Sequence, residues 1–331
     1  MRIRHIALLL CLAVAVPSNA QVAVRKLKIT NTDTQMVTYG WVAYIDLGSN
    51  RFTPVVTPSE TKSCGSGDDH PYPMVRLKDT LTFAYEHQTL VAITANTGLA
   101  VSGASAMAGT CTNGIAGLLV STEQLNLVSE VVSPPQYAGS NLYFAEQTVA
   151  AIDDLPGGLT GIRWAVAGSN ITDNDCGKIG AQLVVRGDPG GCTVPKSKVI
   201  APRDGAGVDQ TGRYLILAIV QGDESRNLGL TTHDFAGLMI GLGAYNAVNF
   251  DGGGSTAFIW DPGCTPPIDD ESIPKKLQTK PFPSPLQVHQ EVKNVSERYM
   301  SNSACDFCYP YRPIYASFGL IDQRRVGAAK N

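Results

Sequence analysis

The chain has 331 residues, of which 44% are hydrophobic and 17% charged, with 26 basic and 29 acidic residues. This composition excludes a disordered or coiled-coil protein, and the length is enough for one large domain or two modest ones. The formal net charge of -3 argues against nucleic acid as the main partner, because phosphate backbones are bound by basic surfaces.

The N-terminus has the layout of a secretory signal peptide. Arg2 and Arg4 precede an apolar run over residues 6–16, and small residues end at Ala20. The run is well short of the roughly 20 apolar residues that a membrane-spanning helix requires, and no later stretch is long enough. We therefore expect residues 1–20 to be removed by cleavage after Ala20, which leaves a secreted or periplasmic protein without a transmembrane span.

Export changes the interpretation of the cysteines. The sequence contains 8 of them, and cleavage removes Cys11, which leaves an odd number. In an oxidising compartment this predicts three disulfides and one remaining thiol. Cys176 with Cys192 is the favoured local pair. Cys305 and Cys308 form a single C-x-x-C motif, for which a disulfide is favoured over zinc.

Short apolar runs bounded by turn-forming residues predict a sheet-rich protein. In chain order these runs cover residues 41–47, 90–93, 117–120, 164–167, 214–220 and 247–250. A last strand is expected within residues 311–320. Between residues 261 and 310 prolines and lysines crowd together, which predicts a long surface insertion.

One helix is predicted over residues 233–242. Thr231 or Thr232 can cap it, Asp234 lies in its first turn, and Gly243 follows its last apolar residue. Its apolar residues recur at helical spacing: Phe235, Leu238, Met239 and Leu242. The resulting strand–helix–strand unit suits a crossover between neighbouring strands.

These elements together predict the fold class. We expect an α+β protein: a single sheet-rich domain of mixed strands over residues 21–331, with a few packed helices and stabilising disulfides. The proline-rich insertion at about residues 261–310 would belong to this domain rather than form a second one.

The segment from Asn249 to Thr256 reads Asn-Phe-Asp-Gly-Gly-Gly-Ser-Thr and follows an apolar strand. Consecutive glycines allow positive φ angles and let a ligand approach the backbone, and successive amides can bind an anion, with Ser255 and Thr256 as further donors. An ordinary glycine-rich turn, in which Asp251 only caps backbone amides, explains the composition equally well. The segment matches neither a nucleotide P-loop nor a serine-hydrolase nucleophile motif.

Residues 243–256 resemble the signature of the phosphodiester glycosidase family, which has many secreted bacterial members. The similarity extends over about residues 40–320, outside the proline-rich insertion. Further similar segments are residues 91–96, Pro202-Arg203 with Gly207, and residues 212–222, 229–232 and 312–319. Four positions differ from the usual family pattern: Asp204 replaces a threonine, Gln221 an aspartate, Thr94 an asparagine and Thr256 a common serine.

The resemblance implies a set of site residues. Arg203 would bind phosphate, because a guanidinium can contact two oxygens at once; without the resemblance a surface salt bridge would be favoured. Asp251 would act as base, nucleophile or stabilising carboxylate. The implied substrate-binding residues are Asn96, Asn249, Gly252, Gly253, Gly254, Ser255 and Thr256.

A second carboxylate is not identified by the sequence. Asp46, Asp223 and Glu224 are the possible partners of Asp251, although each fits a solvated loop acid as well. His233 could titrate near neutral pH, but its position also fits an ordinary first-turn residue. No cofactor is identified and no metal ligand set is predicted, and a divalent cation near Asp251 is an open alternative.

The resemblance implies an exported hydrolase that cleaves the glycosyl-phosphate bond of sugar phosphodiesters. Its partner would be a carbohydrate or sugar-phosphate substrate, and the oligomeric state is left open. The alternative is a non-catalytic glycan or sugar-phosphate binding protein on the same scaffold, a reading motivated by Gln221 and by Asp204. A structural protein in which the glycines form only a turn ranks last.

Overall fold

The computed structural model describes residues 22–49, 51–60, 64, 74–96, 109–112, 115, 119–122, 129–131, 141–145, 149–152, 162–167, 182–190, 199–261, 277, 281–291, 299–302, 314 and 316–323. The predicted signal peptide and the cysteines at positions 176, 192, 264, 305 and 308 lie outside these residues.

Strands dominate the described residues, and two α-helices accompany them. The helices are α1 (Thr80–His87) and α2 (Thr232–Gly241). The strands are β1 (Val22–Asn31), β2 (Val37–Asp46), β3 (Phe52–Val56), β4 (Val75–Arg76), β5 (Val91–Thr94), β6 (Cys111–Thr112), β7 (Leu119–Thr122), β8 (Ser129–Val131), β9 (Asn141–Ala145), β10 (Val149–Ile152), β11 (Ile162–Ala167), β12 (Gln182–Val185), β13 (Asp188–Pro189), β14 (Arg203–Val208), β15 (Tyr214–Val220), β16 (Asn246–Asn249), β17 (Ala257–Trp260), β18 (Leu286–Gln290), β19 (Tyr299–Asn302) and β20 (Ser317–Asp322). Each predicted strand overlaps one of these, so the sheet-rich prediction is confirmed.

The strands form one large sheet and several smaller ones. The large sheet has eight strands in the order β13-β12-β16-β14-β15-β2-β1-β18. A five-stranded sheet has the order β19-β17-β5-β20-β3, and a second has the order β10-β9-β11-β7-β8. Strands β4 and β6 form a two-stranded sheet.

Every strand pairing in the described part of the chain is antiparallel, so the expected mixture of parallel and antiparallel strands is not found there. Strands β15 and β16 are joined through α2 and run in the same direction, but they are not neighbours. Strand β14 lies between them and pairs with both. The prediction that this crossover joins neighbouring strands is therefore wrong.

The eight-stranded sheet is covered on both faces. On one face Ile45, Leu217 and Phe250 share a core with Ile93 and Phe318 of the five-stranded sheet that contains β5. On the other face the apolar stripe of α2 packs against the sheet. All residues of β15 are buried as a result. This two-sided burial explains the uninterrupted apolar run that predicted the strand.

Helix α2 begins where its capping residues predict. Thr231 is the N-cap: its hydroxyl oxygen accepts from the Asp234 amide at 3.1 Å and donates to the Asp234 carboxylate at 2.8 Å. The helix packs closely on β14 because two strand positions are glycines. A Cβ on Gly205 would lie 3.1 Å from Phe235, and one on Gly207 would lie 3.0 Å from Met239.

The described parts of residues 261–310, the range of the predicted surface insertion, include two strands that join the sheets. Strand β18 pairs with β1 in the eight-stranded sheet, and β19 pairs with β17. Leu277 and Leu286 are buried in the core beside α2. Gly241 of α2 lies so close to the Phe282 ring that a Cβ at this position would clash with it.

One disulfide is described, and it is not the predicted local pair. Cys64 and Cys111 are bonded across 47 residues, with their Cα atoms 5.8 Å apart. The bond ties the residues before β4 to β6. None of the helices in the described ranges is long and apolar enough to cross a membrane.

Candidate active site

One edge of the eight-stranded sheet brings together segments that are far apart in the sequence. Strand β14 runs antiparallel to β15 and β16, so its first residues lie beside their last ones: Arg203 is opposite Val220, and Gly205 is opposite Asn249. The loop after β16 then reaches the end of β5, because the Asp251 amide donates to the Ala95 carbonyl at 2.9 Å. Most of the predicted site residues therefore lie at a single edge.

The glycine loop after β16 is a tight turn. Gly253–Ser255 form one turn of 3₁₀-helix, and Gly253 has a φ of 61°, a conformation that favours glycine. The amide of Gly253 donates to the Pro202 carbonyl at 3.0 Å, and the amides of Ser255 and Thr256 donate within the turn. Among the described residues, the amides of Gly252 and Gly254 have no acceptor. These two are the amides that the turn leaves for a ligand.

Arg203 lies against this turn. Its Nε donates to the Leu230 carbonyl at 3.1 Å and its Nη2 donates to the Val199 carbonyl at 2.9 Å, which fixes the plane of the guanidinium. A Cβ added to Gly252 would lie 3.7 Å from Nη1 of Arg203 and 2.9 Å from the Pro202 carbonyl oxygen. A side chain at position 252 would be too close to the Pro202 carbonyl, which explains the glycine. The Arg203 guanidinium lies directly beside the turn.

Asp204 is the residue that the sequence analysis missed as a site candidate. Its side chain is 0% exposed, and neither carboxylate oxygen has a hydrogen-bond partner among the described residues. Burial, and then the charge of Asp251, raise the pKa of Asp204 well above its usual range. The Arg203 guanidinium and the Ala257 amide act in the opposite direction on this pKa but do not offset the burial.

A signal for Asp204 was present in the sequence. It is an acidic residue that begins an otherwise apolar strand, Asp-Gly-Ala-Gly-Val, directly after an arginine. A carboxylate at a position that strand alternation directs into the core is expected to be paired or functional. In the usual family pattern a threonine stands at this position, so the resemblance assigned Asp204 no role in the site.

Asp46 and Asp223, two of the three acids considered as partners of Asp251, are hydrogen-bonded to other groups. Asp46 is hydrogen-bonded to Arg213 at the opposite end of β15, about 20 Å away along the strand. Asp223 accepts from the Ser225 hydroxyl and amide at 2.6 and 2.9 Å, and these bonds lower its pKa. Glu224 belongs to the adjacent 3₁₀ turn, Glu224–Arg226. His233 is exposed in the first turn of α2.

The remaining predicted residues are mostly buried around the turn. Asn249 donates from Nδ2 to the Phe250 carbonyl at 2.9 Å, while its Oδ1 has no partner in the described part of the chain. Thr256 Oγ1 is likewise buried without one, and Asn96 is fully buried at the end of β5. Gln221 is half-buried, and its carbonyl accepts from the Thr38 hydroxyl at 2.6 Å.

A row of buried hydroxyls holds the glycine turn from below. Thr94 donates to the Ser255 carbonyl at 2.7 Å and lies 3.2 Å from the Thr80 hydroxyl. Ser317 donates to Thr80 at 3.3 Å, and its amide donates to the Thr57 hydroxyl at 2.8 Å. The turn is therefore connected to the five-stranded sheet through Thr94. No cluster of three or more His, Cys, Asp or Glu side chains suited to a metal ion occurs in the described ranges.

Sequence comparison identifies the family. A model described as phosphodiester glycosidase matches residues 88–283, a stretch that covers more than half of the chain and contains Arg203, Asp204, Asp251 and the glycine turn. The chain therefore belongs to the phosphodiester glycosidase family. No curated protein matches the sequence.

Structure comparison agrees at the level of the fold. The catalytic domain of zebrafish N-acetylglucosamine-1-phosphodiester alpha-N-acetylglucosaminidase, auto-inhibited by its pro-peptide, superposes with a TM-score of 0.53 at 14% identity, over 92% of this chain and 85% of that one. A hypothetical protein from Synechocystis gives 0.44 at 12% identity, over 90% and 62% of the chains. A putative exported protein from Burkholderia pseudomallei gives 0.38 at 12% identity, over 87% and 74%.

Proposed function

We propose that this protein is an exported glycosidase that hydrolyses the glycosyl-phosphate bond of sugar phosphodiesters. The observation that carries the proposal is the position of Arg203 against the glycine turn, with Asp251 and Asp204 at the same sheet edge, in a member of the phosphodiester glycosidase family. The export component rests on the N-terminal pattern, and cleavage after Ala20 would leave β1, which begins at Val22, intact.

The proposed reaction suits a site that is rich in electrostatic groups. The bond between the anomeric carbon and the phosphate oxygen breaks, a phosphate monoester leaves with the bonding electrons, and water adds to the anomeric carbon. Because a phosphate monoester is a weakly basic leaving group, strong general-acid catalysis is less necessary than for an ordinary glycoside. The main requirements are to bind the phosphate charge and to stabilise an oxocarbenium-like transition state.

The residues of the edge divide these tasks. Arg203 would bind the phosphate through its guanidinium, whose plane is fixed by the hydrogen bonds from Nε and Nη2 to backbone carbonyls. The amides of Gly252 and Gly254 would donate to phosphate or sugar oxygens. Asp251 would stabilise the positive charge that develops at the anomeric carbon, or attack it, or activate the water.

A panel of glycosyl phosphodiesters tests the proposal. Purified mature protein is expected to release sugar and phosphate monoester from at least one of them, and Asp251→Asn is expected to abolish release. Asp46→Asn is the matched control, because Asp46 is ion-paired to Arg213 at the far end of the same sheet. The absence of turnover on every member of the panel would contradict the proposal.

A non-catalytic binding protein is the second candidate. The observation that favours it is Gln221, which cannot titrate and stands where the family usually has an aspartate. This candidate predicts binding on a glycan or sugar-phosphate array without turnover. Turnover that Asp251→Asn removes would eliminate it.

A further inference from the structure

We propose that Asp204 and Asp251 form a coupled carboxyl pair that holds a single proton, with the proton on Asp204, so that Asp251 is the ionised carboxylate beside Arg203. The sheet edge places the two residues close together, because the Phe250 amide donates to the Asp204 carbonyl at 2.9 Å and Asp251 is the next residue. Its effect on substrate binding rests on the function proposed above.

The surroundings of Asp204 do not support a charge. Opposite it on β15 lies Ile219, and two residues further along β14 lies Ala206, and both belong to the apolar core between the sheets. Neither oxygen has a donor in hydrogen-bonding geometry among the described residues, so an ionised Asp204 would lose its hydration and gain little beyond the attraction of the Ala257 amide in return. A neutral carboxyl group avoids most of this cost.

Asp251 is placed differently. It lies beyond the end of β16, is only half-buried, and its backbone is fixed by the hydrogen bond to the Ala95 carbonyl. Of two interacting carboxyl groups, the more exposed one ionises first, and its charge then opposes ionisation of the other. The direction of the Asp204 pKa, raised first by burial and second by the charge of Asp251, agrees with this order.

Among the described residues, two charged groups act on the pKa of Asp204. They are Asp251, from the loop after β16, and Arg203, its neighbour in β14. Ile219 of β15 and Phe250, the residue after β16, belong to the shared core on the same side and are apolar. With the proton in place, the two carboxyl groups and Arg203 have no net charge. Without it, they carry one negative charge beside the position proposed for an anionic phosphodiester.

The consequence is a site that binds an anion only while Asp204 keeps its proton. Asp204 is buried and does not reach the surface, so it is a positioning residue that acts through the net charge of the sheet edge that also holds Asp251 and Arg203. As the pH rises through the pKa of Asp204, the affinity for a phosphodiester is expected to fall, and KM is expected to rise by up to about tenfold per pH unit.

The pair itself is tested without any substrate. The mature wild-type protein and Asp204→Asn are unfolded by denaturant between about pH 4 and pH 8. Because the folded state keeps a proton that the unfolded aspartate releases above pH about 4, the folding constant of the wild type, relative to the variant, should fall by up to about tenfold per pH unit until Asp204 ionises. Asp204→Thr serves the same comparison if the asparagine variant does not fold.

Asp223→Asn is the matched control, since Asp223 is an aspartate at the same sheet edge whose pKa is lowered rather than raised. Its stability relative to the wild type should not change with pH in this range. Parallel curves for the wild type and Asp204→Asn would overturn the proposal. So would a stabilisation of the wild type, but not of Asp204→Asn, by Ca²⁺ or Mg²⁺, because the carboxyl groups would then share a cation instead of a proton.

The effect on the site is tested separately, by measuring KM and kcat against pH on any phosphodiester that the protein cleaves. The rise of KM with pH should be present in the wild type and absent in Asp204→Asn. A KM that rises equally in both proteins would overturn the role of Asp204 in binding. If the relative folding constant falls as expected but no phosphodiester is cleaved, the proposed function fails and the assignment of the proton to the buried Asp204 stands.

Discussion

The two ends of β15 carry similar residues in opposite states. At the Tyr214 end, Asp46 accepts two hydrogen bonds from Arg213, at 2.9 and 2.7 Å, and a third from the Gly48 amide at 2.9 Å. At the Val220 end, Arg203 lies next to Asp204, whose carboxylate has no hydrogen bond in the described part of the chain. The same sheet therefore has one edge where the acid, Asp46, is hydrogen-bonded and another where the acid, Asp204, is not.

The difference separates stability from function. A hydrogen-bonded ion pair at a strand end contributes to the free energy of folding, modestly here because the Arg213 side chain is 57% exposed. A buried carboxyl group without donors reduces that free energy, and such groups are concentrated at functional sites. We infer that the Asp46 edge serves the fold and that the Asp204 edge serves a ligand.

The largest expected effect comes from replacing one aspartate at each edge, Asp251 or Asp46, by asparagine. Asp251→Asn should lower kcat by about 10²- to 10⁴-fold, because it removes the ionised carboxylate from the proposed site. Asp46→Asn should leave kcat unchanged and lower the free energy of unfolding by about 1 kcal/mol. Steady-state kinetics and denaturant unfolding of both variants check this. A loss of kcat in Asp46→Asn as large as that in Asp251→Asn would remove the distinction between the edges.

The arginines of the two edges provide the next comparison. Arg203→Lys should raise KM for a phosphodiester by about 10- to 100-fold, because one charge-assisted hydrogen bond contributes about 1.5–3 kcal/mol and lysine lacks the planar fork. Arg213→Lys should leave KM unchanged. Kinetics at two ionic strengths check the result. Equal KM values for the two lysine variants would contradict the placement of phosphate at Arg203.

Alanine variants of two glycines with positive φ angles distinguish the cost of backbone strain from the loss of a ligand contact. Gly253 in the turn has a φ of 61°, and Gly109, far from the turn in sequence, has a φ of 85° with nothing within 4 Å of an added Cβ. Both alanine variants should lose about 1–2 kcal/mol of stability, because an L-residue is disfavoured in this conformation. Only Gly253→Ala should also lower kcat. If it lowers the melting temperature alone, the turn is structural.

The smallest expected effect concerns the buried hydroxyl row. Thr94→Val removes the donor to the Ser255 carbonyl, and Thr57→Val removes the acceptor of the Ser317 amide at the other end of the row. Each should cost about 1 kcal/mol of stability. Thr94→Val should in addition lower kcat several-fold, since it loosens the turn. The same kcat change in Thr57→Val would mean that the row acts on the whole protein rather than on the turn.

Local elements were determined by the sequence itself. The all-apolar run of β15 predicted a strand with its observed bounds, because a strand covered on both faces has no polar side to interrupt the pattern. Helix α2 was predicted within a residue at each end from its capping threonine and apolar stripe. The Asp-Gly-Gly-Gly-Ser core was recognisable as a family signature, and two of its glycines are required in the turn, Gly252 by close approach and Gly253 by its positive φ.

Only the tertiary structure decided which charged groups meet. The adjacency of Asp204 to Asp251 depends on β14 lying between β15 and β16, and local patterns carry no information about strand order. The distance of Asp46 from the site depends on which end of a strand each residue occupies after antiparallel pairing. Likewise, β18 joins the sheet from a range whose composition predicted a surface insertion. Local propensity acts over a few residues, whereas the charge state of this site depends on contacts between residues about 50 positions apart or more.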